Sequence, residues 1–118
     1  MSTPIYYVDA FTDNLFSGNP AAVIFSQLND KKLMQKVAAE NNLSETAFIR
    51  EENGIYHIRW FAPLCEIDLC GHATLASAFI YFKYIQPEST KFEVQSLKNG
   101  ILKVTKKDNL LTLDFPKD

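Results

Sequence analysis

The sequence has only two cysteines, Cys65 and Cys70, and no secretory leader ahead of them. Two thiols make no disulfide framework, so both read as reduced cysteines of a cytoplasmic protein. The opening Met1-Ser2-Thr3-Pro4 has neither a basic stretch nor an apolar one, so no signal peptide is visible. Charge of one sign is lacking as well: 12 Lys and Arg stand against 14 Asp and Glu, a formal net charge of -2. Nothing in that balance supports binding to nucleic acid or to a membrane surface. A bilayer-crossing run of about 20 apolar residues is also missing. No internal repeat, linker or low-complexity segment divides the chain, and 118 residues with 47 % hydrophobic content fit one domain with a single core.

What stands out instead is Asp68-Leu69-Cys70-Gly71-His72-Ala73-Thr74, followed by Leu75 to Tyr84. From His72 there is no charged side chain until Lys83, and no Pro. The spacing predicts a helix from about His72 to Tyr84 that is apolar almost all round and therefore buried on most sides. Its polar start, Gly71 and His72, joins backbone N–H groups to the positive end of the helix dipole, a natural place for an anion. The plain alternative is an ordinary core helix whose glycine allows close packing.

The flanks read as strands. Ile5 to Phe11 is rich in β-formers, Thr12 to Pro20 is a loop holding Gly18-Asn19-Pro20, and the strand resumes from Ala21 to Phe25. Asn29 or Asp30 can cap a surface helix with Leu33, Met34, Val37 and Ala38 on its apolar face and Lys31, Lys32, Lys36 and Glu40 on the other. It stops near Asn41-Asn42, and Ser44-Glu45-Thr46 leads into a strand from Ala47 to Arg50. Asn53-Gly54 predicts a hairpin into Ile55–Phe61. A loop through Ala62-Pro63 leads to the buried helix. After Pro87 come strands at Lys91–Leu97, Ile101–Lys107 and Leu110–Phe115, turned at Asn99-Gly100 and Asp108-Asn109. Leu102/Val104 and Leu111/Leu113 alternate with polar residues, so one face is wet. The expected fold is α+β: an antiparallel sheet wrapped around a central buried helix, with one additional surface helix. The closing Phe115-Pro116-Lys117-Asp118 follows straight on a strand, a common place to cut between domains.

Several residues could carry chemistry. Glu45, between two hydroxyl residues, can act as a general acid or base if it is buried, or else is a turn carboxylate. His72 at a helix start would serve as a neutral donor or acceptor, because the dipole disfavours a second proton there, or else is a structural histidine. Glu66 and Asp68 alternate with Ile67 and Leu69 and so share a face or form a solvated edge. Asn19 is a turn residue on its face value. Cys70 could be a thiolate base, although free cysteines are mostly buried and inert. Cys65, Cys70, His57 and His72 match no usual zinc-ligand spacing, so no metal is expected.

Taken together the motifs resemble those of the PhzF-like proteins of phenazine biosynthesis. Val8-Asp9-Ala10-Phe11-Thr12, Gly18 to Val23, Leu43-Ser44-Glu45-Thr46-Ala47-Phe48, Arg59-Trp60-Phe61, Glu66 to Ala76 and Leu113-Asp114-Phe115-Pro116 carry the likeness. The resemblance implies an isomerase without a cofactor, related to diaminopimelate epimerase and proline racemase. Such proteins have two similar domains, each a sheet around a central helix, with the active site in the cleft between them. The best understood member moves a proton within a dihydro-hydroxyanthranilate ring system. On that pattern Glu45 is the acid/base, Gly71 and His72 help hold the substrate, and Asn19 and Asp68 join them. Cys70 is not the base that the racemase relatives' cysteines are.

This chain holds the motifs of only the first domain, residues 1–118, the N-terminal half of the two-domain pattern. Proton transfer then needs a partner half, either a second PhzF-like domain or a second copy in a homodimer. The expected function is acid/base isomerisation of a small carboxylated metabolite. The alternative is a non-catalytic remnant, or an anion-binding, dimerising module.

Overall fold

A computed structural model describes residues 5–8, 21–41, 45–108 and 110–114. In chain order the elements are β1 (Ile5–Val8), β2 (Ala21–Phe25), α1 (Lys31–Asn41), β3 (Glu45–Glu52), β4 (Ile55–Phe61), β5 (Glu66–Ile67), α2 (Gly71–Ile80), β6 (Lys91–Gln95), β7 (Ile101–Lys107) and β8 (Leu110–Asp114). Among the described residues the eight strands form one sheet in the order β1-β2-β3-β4-β6-β7-β8, with β5 also paired to β4. The loop expected at 12–20, the helix stop at Asn42 and the final residues 115–118 lie outside the described residues.

Strand alternation divides the core between the two helices. Ala21 and Val23 of β2, Ala47 and Ile49 of β3, and Ile58 and Trp60 of β4 join Ala73, Ala76, Ala78 and Ile80 of α2. The intervening positions, Ile24, Phe48 and Phe61, face the other way and pack with Met34 and Ala38 of α1. This is the period of two that a pleated strand imposes. Helix α2 touches β2 and β3 on one side and β8, at the far end of the strand order, on the other. The sheet therefore bends around it. Two hydroxyls in α2 are fully buried, and each is satisfied within the helix: Thr74 Oγ1 donates to the Cys70 carbonyl and Ser77 Oγ to the Ala73 carbonyl, both at 2.8 Å.

The local signals explain the turns. Asn53 (φ 54°) and Gly54 (φ 81°) are both left-handed, as a two-residue hairpin turn between β3 and β4 needs. Asp30 is the α1 cap, its Oδ1 accepting from the Lys32 and Leu33 N–H groups at 3.0 and 3.3 Å.

The sheet differs from the expected one in being mixed. Strands β2 and β3 pair in parallel, as do β4 and β6. Both parallel pairs follow from crossovers: α1 lies between β2 and β3 in sequence, and α2 between β4 and β6. Leu33 is half exposed rather than on the buried face of α1. The loop after Ala62 contains a two-residue strand, β5, on the edge of β4. The α-helix of α2 ends at Ile80 and passes into a π-helical turn, Tyr81–Ile85, in which the Gln86 N–H donates to the Tyr81 carbonyl at 2.8 Å. Tyr81 and Phe82 are both buried there, with the Tyr81 ring 4.5 Å from that of Phe92. Phe79 remains 39 % exposed, and no helix among the described residues is long and apolar enough to cross a membrane.

Candidate active site

Glu45 is the first residue of β3 and stands opposite Ala21 of β2 in the parallel pairing. Alternation puts its side chain on the face of Ala47 and Ile49, the face that α2 covers. His72 is the second residue of α2. The two side chains meet there, Glu45 Oε1 lying 2.7 Å from His72 Nε2. Each side chain is only about one-fifth exposed, and the two facing atoms are shielded from solvent.

Cys70 turns the chain from β5 into α2 in an extended conformation (φ -141°, ψ 102°). Its carbonyl accepts from the Thr74 N–H at 3.1 Å and from the Thr74 hydroxyl at 2.8 Å. Thr74 Oγ1 in turn accepts from Trp60 Nε1 at 3.0 Å. The start of α2 is thereby pinned to the middle of the sheet through a buried indole on β4. Cys70 Sγ lies 3.7 Å from His72 Nδ1. Burial pushes the Cys70 thiol up to about 11; the Ala73 N–H facing the sulfur opposes this, and the Glu45 charge adds to it. At neutral pH the group is a thiol, a poor base and a poor nucleophile.

The other residues singled out in the sequence are placed differently. Gly71 is the first residue of α2, and among the described residues no side-chain hydrogen bond caps that helix end. Asp68 is largely exposed, its carboxylate 3.3 Å from Lys98 Nζ and its carbonyl accepting from Asn99 Nδ2 at 2.7 Å. It is not part of the Glu45–His72 contact. Asn19 lies outside the described residues. Glu66 is held by Arg59, whose Nε and Nη2 donate to its two oxygens at 2.8 Å each. Burial is secondary for Glu66: the Arg59 hydrogen bond holds its carboxyl below the ordinary 4.5, with Lys31 3.8 Å away adding to it. A cleft of about 320 Å³ runs past Arg59, Glu66, Asp68 and Lys98, but these charges are already paired with one another.

Donor atoms of Glu45, Cys70 and His72 all lie within 4.8 Å of one another, a ligand set zinc accepts. The spacing of Cys65, Cys70, His57 and His72 gave no hint of this trio, since Glu45 comes from another strand. The imidazole, however, turns Nδ1 to the thiol and Nε2 to the carboxylate, on opposite sides of the ring. The roles of Thr74 and Trp60 at the helix start, and the contact of Cys70 with His72, were not read from the sequence. Cys70 and Thr74 are one helical turn apart, which is the only local signal for them.

A family model described as "Phenazine biosynthesis-like protein" matches residues 8–116. The chain is 48 % identical to an "uncharacterized isomerase" of Halalkalibacterium halodurans over 119 residues, covering 100 % of this chain and 45 % of that protein. Among solved structures, a PhzF-family protein of Enterococcus faecalis is 50 % identical with a TM-score of 0.81, covering 92 % of this chain and 42 % of that one. A putative PhzC/PhzF protein of Clostridium difficile is 45 % identical with a TM-score of 0.84, covering 93 % of this chain and 42 % of that one. The chain spans less than half the length of each of these relatives.

Proposed function

Because this chain belongs to the phenazine biosynthesis-like (PhzC-PhzF) family, we propose that it is the N-terminal half of a cytoplasmic, cofactor-independent isomerase that moves a proton on a small carboxylated metabolite. Glu45 is the acid/base. One observation supports this above the others: a carboxylate and an imidazole 2.7 Å apart, with their facing atoms out of water, beside the start of α2. Proton transfer to and from carbon needs a base within hydrogen-bond reach of the proton, in a site that excludes solvent. The start of α2 favours the substrate's carboxylate through the N–H groups of Gly71 and His72 and the helix dipole. Asn19 and Asp68 belong to the substrate side of this reading. The second half of the cleft comes from a further PhzF-like domain or from a second copy of the chain.

The test pairs this chain with the remaining portion of the Enterococcus faecalis relative and incubates the pair with small carboxylates in D2O. Isomerisation through Glu45 washes deuterium onto carbon, so mass spectrometry detects turnover without knowledge of the product. Glu45→Gln is expected to abolish the exchange while leaving carboxylate binding largely intact. Normal exchange in that variant would remove Glu45 from the acid/base role.

Association is the companion expectation. Leu64, Leu97, Ile101 and Leu110 are each more than half exposed, apolar surface that suits a partner. Sedimentation of the isolated chain is expected to give a dimer or higher form. A clean monomer at high concentration would count against it.

A further inference from the structure

We propose that the Cys70 thiol is a positioning residue that selects the tautomer of His72, donating its S–H to Nδ1 so that Nε2 carries the proton and donates it to the Glu45 carboxylate. Two contacts flank the ring, Cys70 Sγ to Nδ1 at 3.7 Å and Nε2 to Glu45 Oε1 at 2.7 Å, the second close in distance but not aligned as a hydrogen bond. A neutral imidazole has one N–H and one bare nitrogen, and the partner of each decides which is which. Glu45 as a carboxylate can only accept, so the 2.7 Å contact needs a proton on Nε2. Nδ1 must then accept, and the group facing it is a thiol.

Sulfur is a weak acceptor and could in principle take a proton from Nδ1 instead. Two features oppose that arrangement. Burial keeps the thiol protonated, so the group has an S–H to give. The sulfur also sits in a rigid place: its own carbonyl is held twice by Thr74, and Thr74 by the Trp60 indole. A buried thiol that keeps its proton at neutral pH is a donor throughout the working range.

The consequence for catalysis rests on the acid/base role proposed above for Glu45. With Nε2–H on Oε1, one carboxylate oxygen is occupied and oriented, and the other is left to exchange a proton with substrate. Cys70 acts through His72 and never touches the reacting carbon.

The tautomer is read directly, without any turnover. In uniformly 15N-labelled chain carrying His57→Gln, His72 is the sole histidine, and long-range proton–nitrogen correlation at neutral pH distinguishes a protonated ring nitrogen from a bare one. The expected result is a protonated Nε2 and a bare Nδ1. Cys70→Ala is expected to lower the ratio of the Nε2–H to the Nδ1–H form by about fivefold, the worth of one ordinary hydrogen bond. Cys70→Ser, which keeps a donor, restores it. A proton on Nδ1 in the chain with Cys70 intact, as the other tautomer or as imidazolium, overturns the proposal, and so does a Cys70→Ala spectrum with the ratio unchanged. Should Cys70→Ala fail to fold, Cys70→Val, which fills the site without a donor, takes its place, with the same fall in the ratio expected and an unchanged ratio again overturning the proposal. Loss of the Glu45 role in the D2O experiment would leave this result standing, so the two readings fail separately.

Discussion

Glu45 and Glu66 each meet a nitrogen base at nearly the same distance, 2.7 Å to His72 and 2.8 Å to Arg59, and with similar small exposure. Their partners nevertheless differ in kind. Arg59 is a permanent cation with a planar fork, and its Nε and Nη2 hold the two oxygens of Glu66 while Nη1 donates to Asn29 Oδ1 at 3.1 Å. Such a carboxylate is locked in its charged form and has no oxygen left to work with. Glu45 faces a ring whose second nitrogen is turned to a thiol, in a contact of one nitrogen and one oxygen. Distance and burial alone do not distinguish the two glutamates. The kind of partner does, a guanidinium for Glu66 and an imidazole for Glu45.

Both carboxylates depend on β4, which carries Arg59 on one face and Trp60 on the other. The largest expected effect therefore comes from Trp60→Ala, which empties a fully buried indole site and deprives Thr74 of its donor. Loss of about 3–5 kcal/mol is expected in denaturant unfolding. Trp60→Phe, which keeps most of the volume but not the N–H, is expected to cost about 1–2 kcal/mol. Equal losses in the two variants would mean that the hydrogen bond to Thr74, and not packing, sets the cost.

A smaller effect separates the two glutamates by stability. Glu66→Gln breaks a two-point ion pair of low exposure and is expected to cost about 1–2 kcal/mol near pH 7, more than an exposed pair is worth. Glu45→Gln, which can still accept from Nε2 through its amide oxygen, is expected to cost about 0.5 kcal/mol or less. For Glu66 the folded-state pKa lies below 4.5, so its contribution is fully present above that value. It is lost as pH falls from 4.5 through the folded value. Unfolding curves at stepped pH should show this acid-side decline in the native chain and a shallower one in Glu66→Gln. Equal costs for the two substitutions would erase the distinction drawn here.

What could be read from the sequence was the part written locally. The Asn53-Gly54 turn, the Asp30 cap and the uninterrupted apolar run after His72 are short-range signals, and the corresponding elements are where they predict. The α+β class with a central helix followed from them. The two parallel pairings did not, because β2 with β3 and β4 with β6 meet only after a helix has returned the chain, and no residue pattern within either strand encodes direction. The π-helical turn was equally hidden, since Tyr81 and Phe82 are apolar like the helix before them and only their packing on Phe92 and its neighbours reveals the extra residue. At the site, Glu45 and the Gly71-His72 pair were nominated by their motifs. Cys70 was set aside as inert, since a sequence shows the type of a thiol and not what its proton points at.

The smallest effect tests that thiol directly by comparison with its neighbour. Cys65 is exposed, whereas Cys70 is 8 % exposed and keeps its proton up to about pH 11. Alkylation proceeds through the thiolate and requires access, so Cys70 is disfavoured on both counts. At pH 8 a small alkylating reagent is expected to modify Cys65 and leave Cys70 untouched, with both modified once the chain is unfolded in denaturant. Peptide mass spectrometry assigns the label to each residue. Glu45→Gln removes a nearby negative charge that disfavours the thiolate, yet burial remains the larger cause, so Cys70 should stay unlabelled in that variant too. Labelling of native Cys70 at pH 8 as fast as Cys65 would mean that the sulfur carries a thiolate in contact with His72. Nδ1 would then be the protonated nitrogen, and the order of donors between Cys70 and Glu45 would have to be reversed.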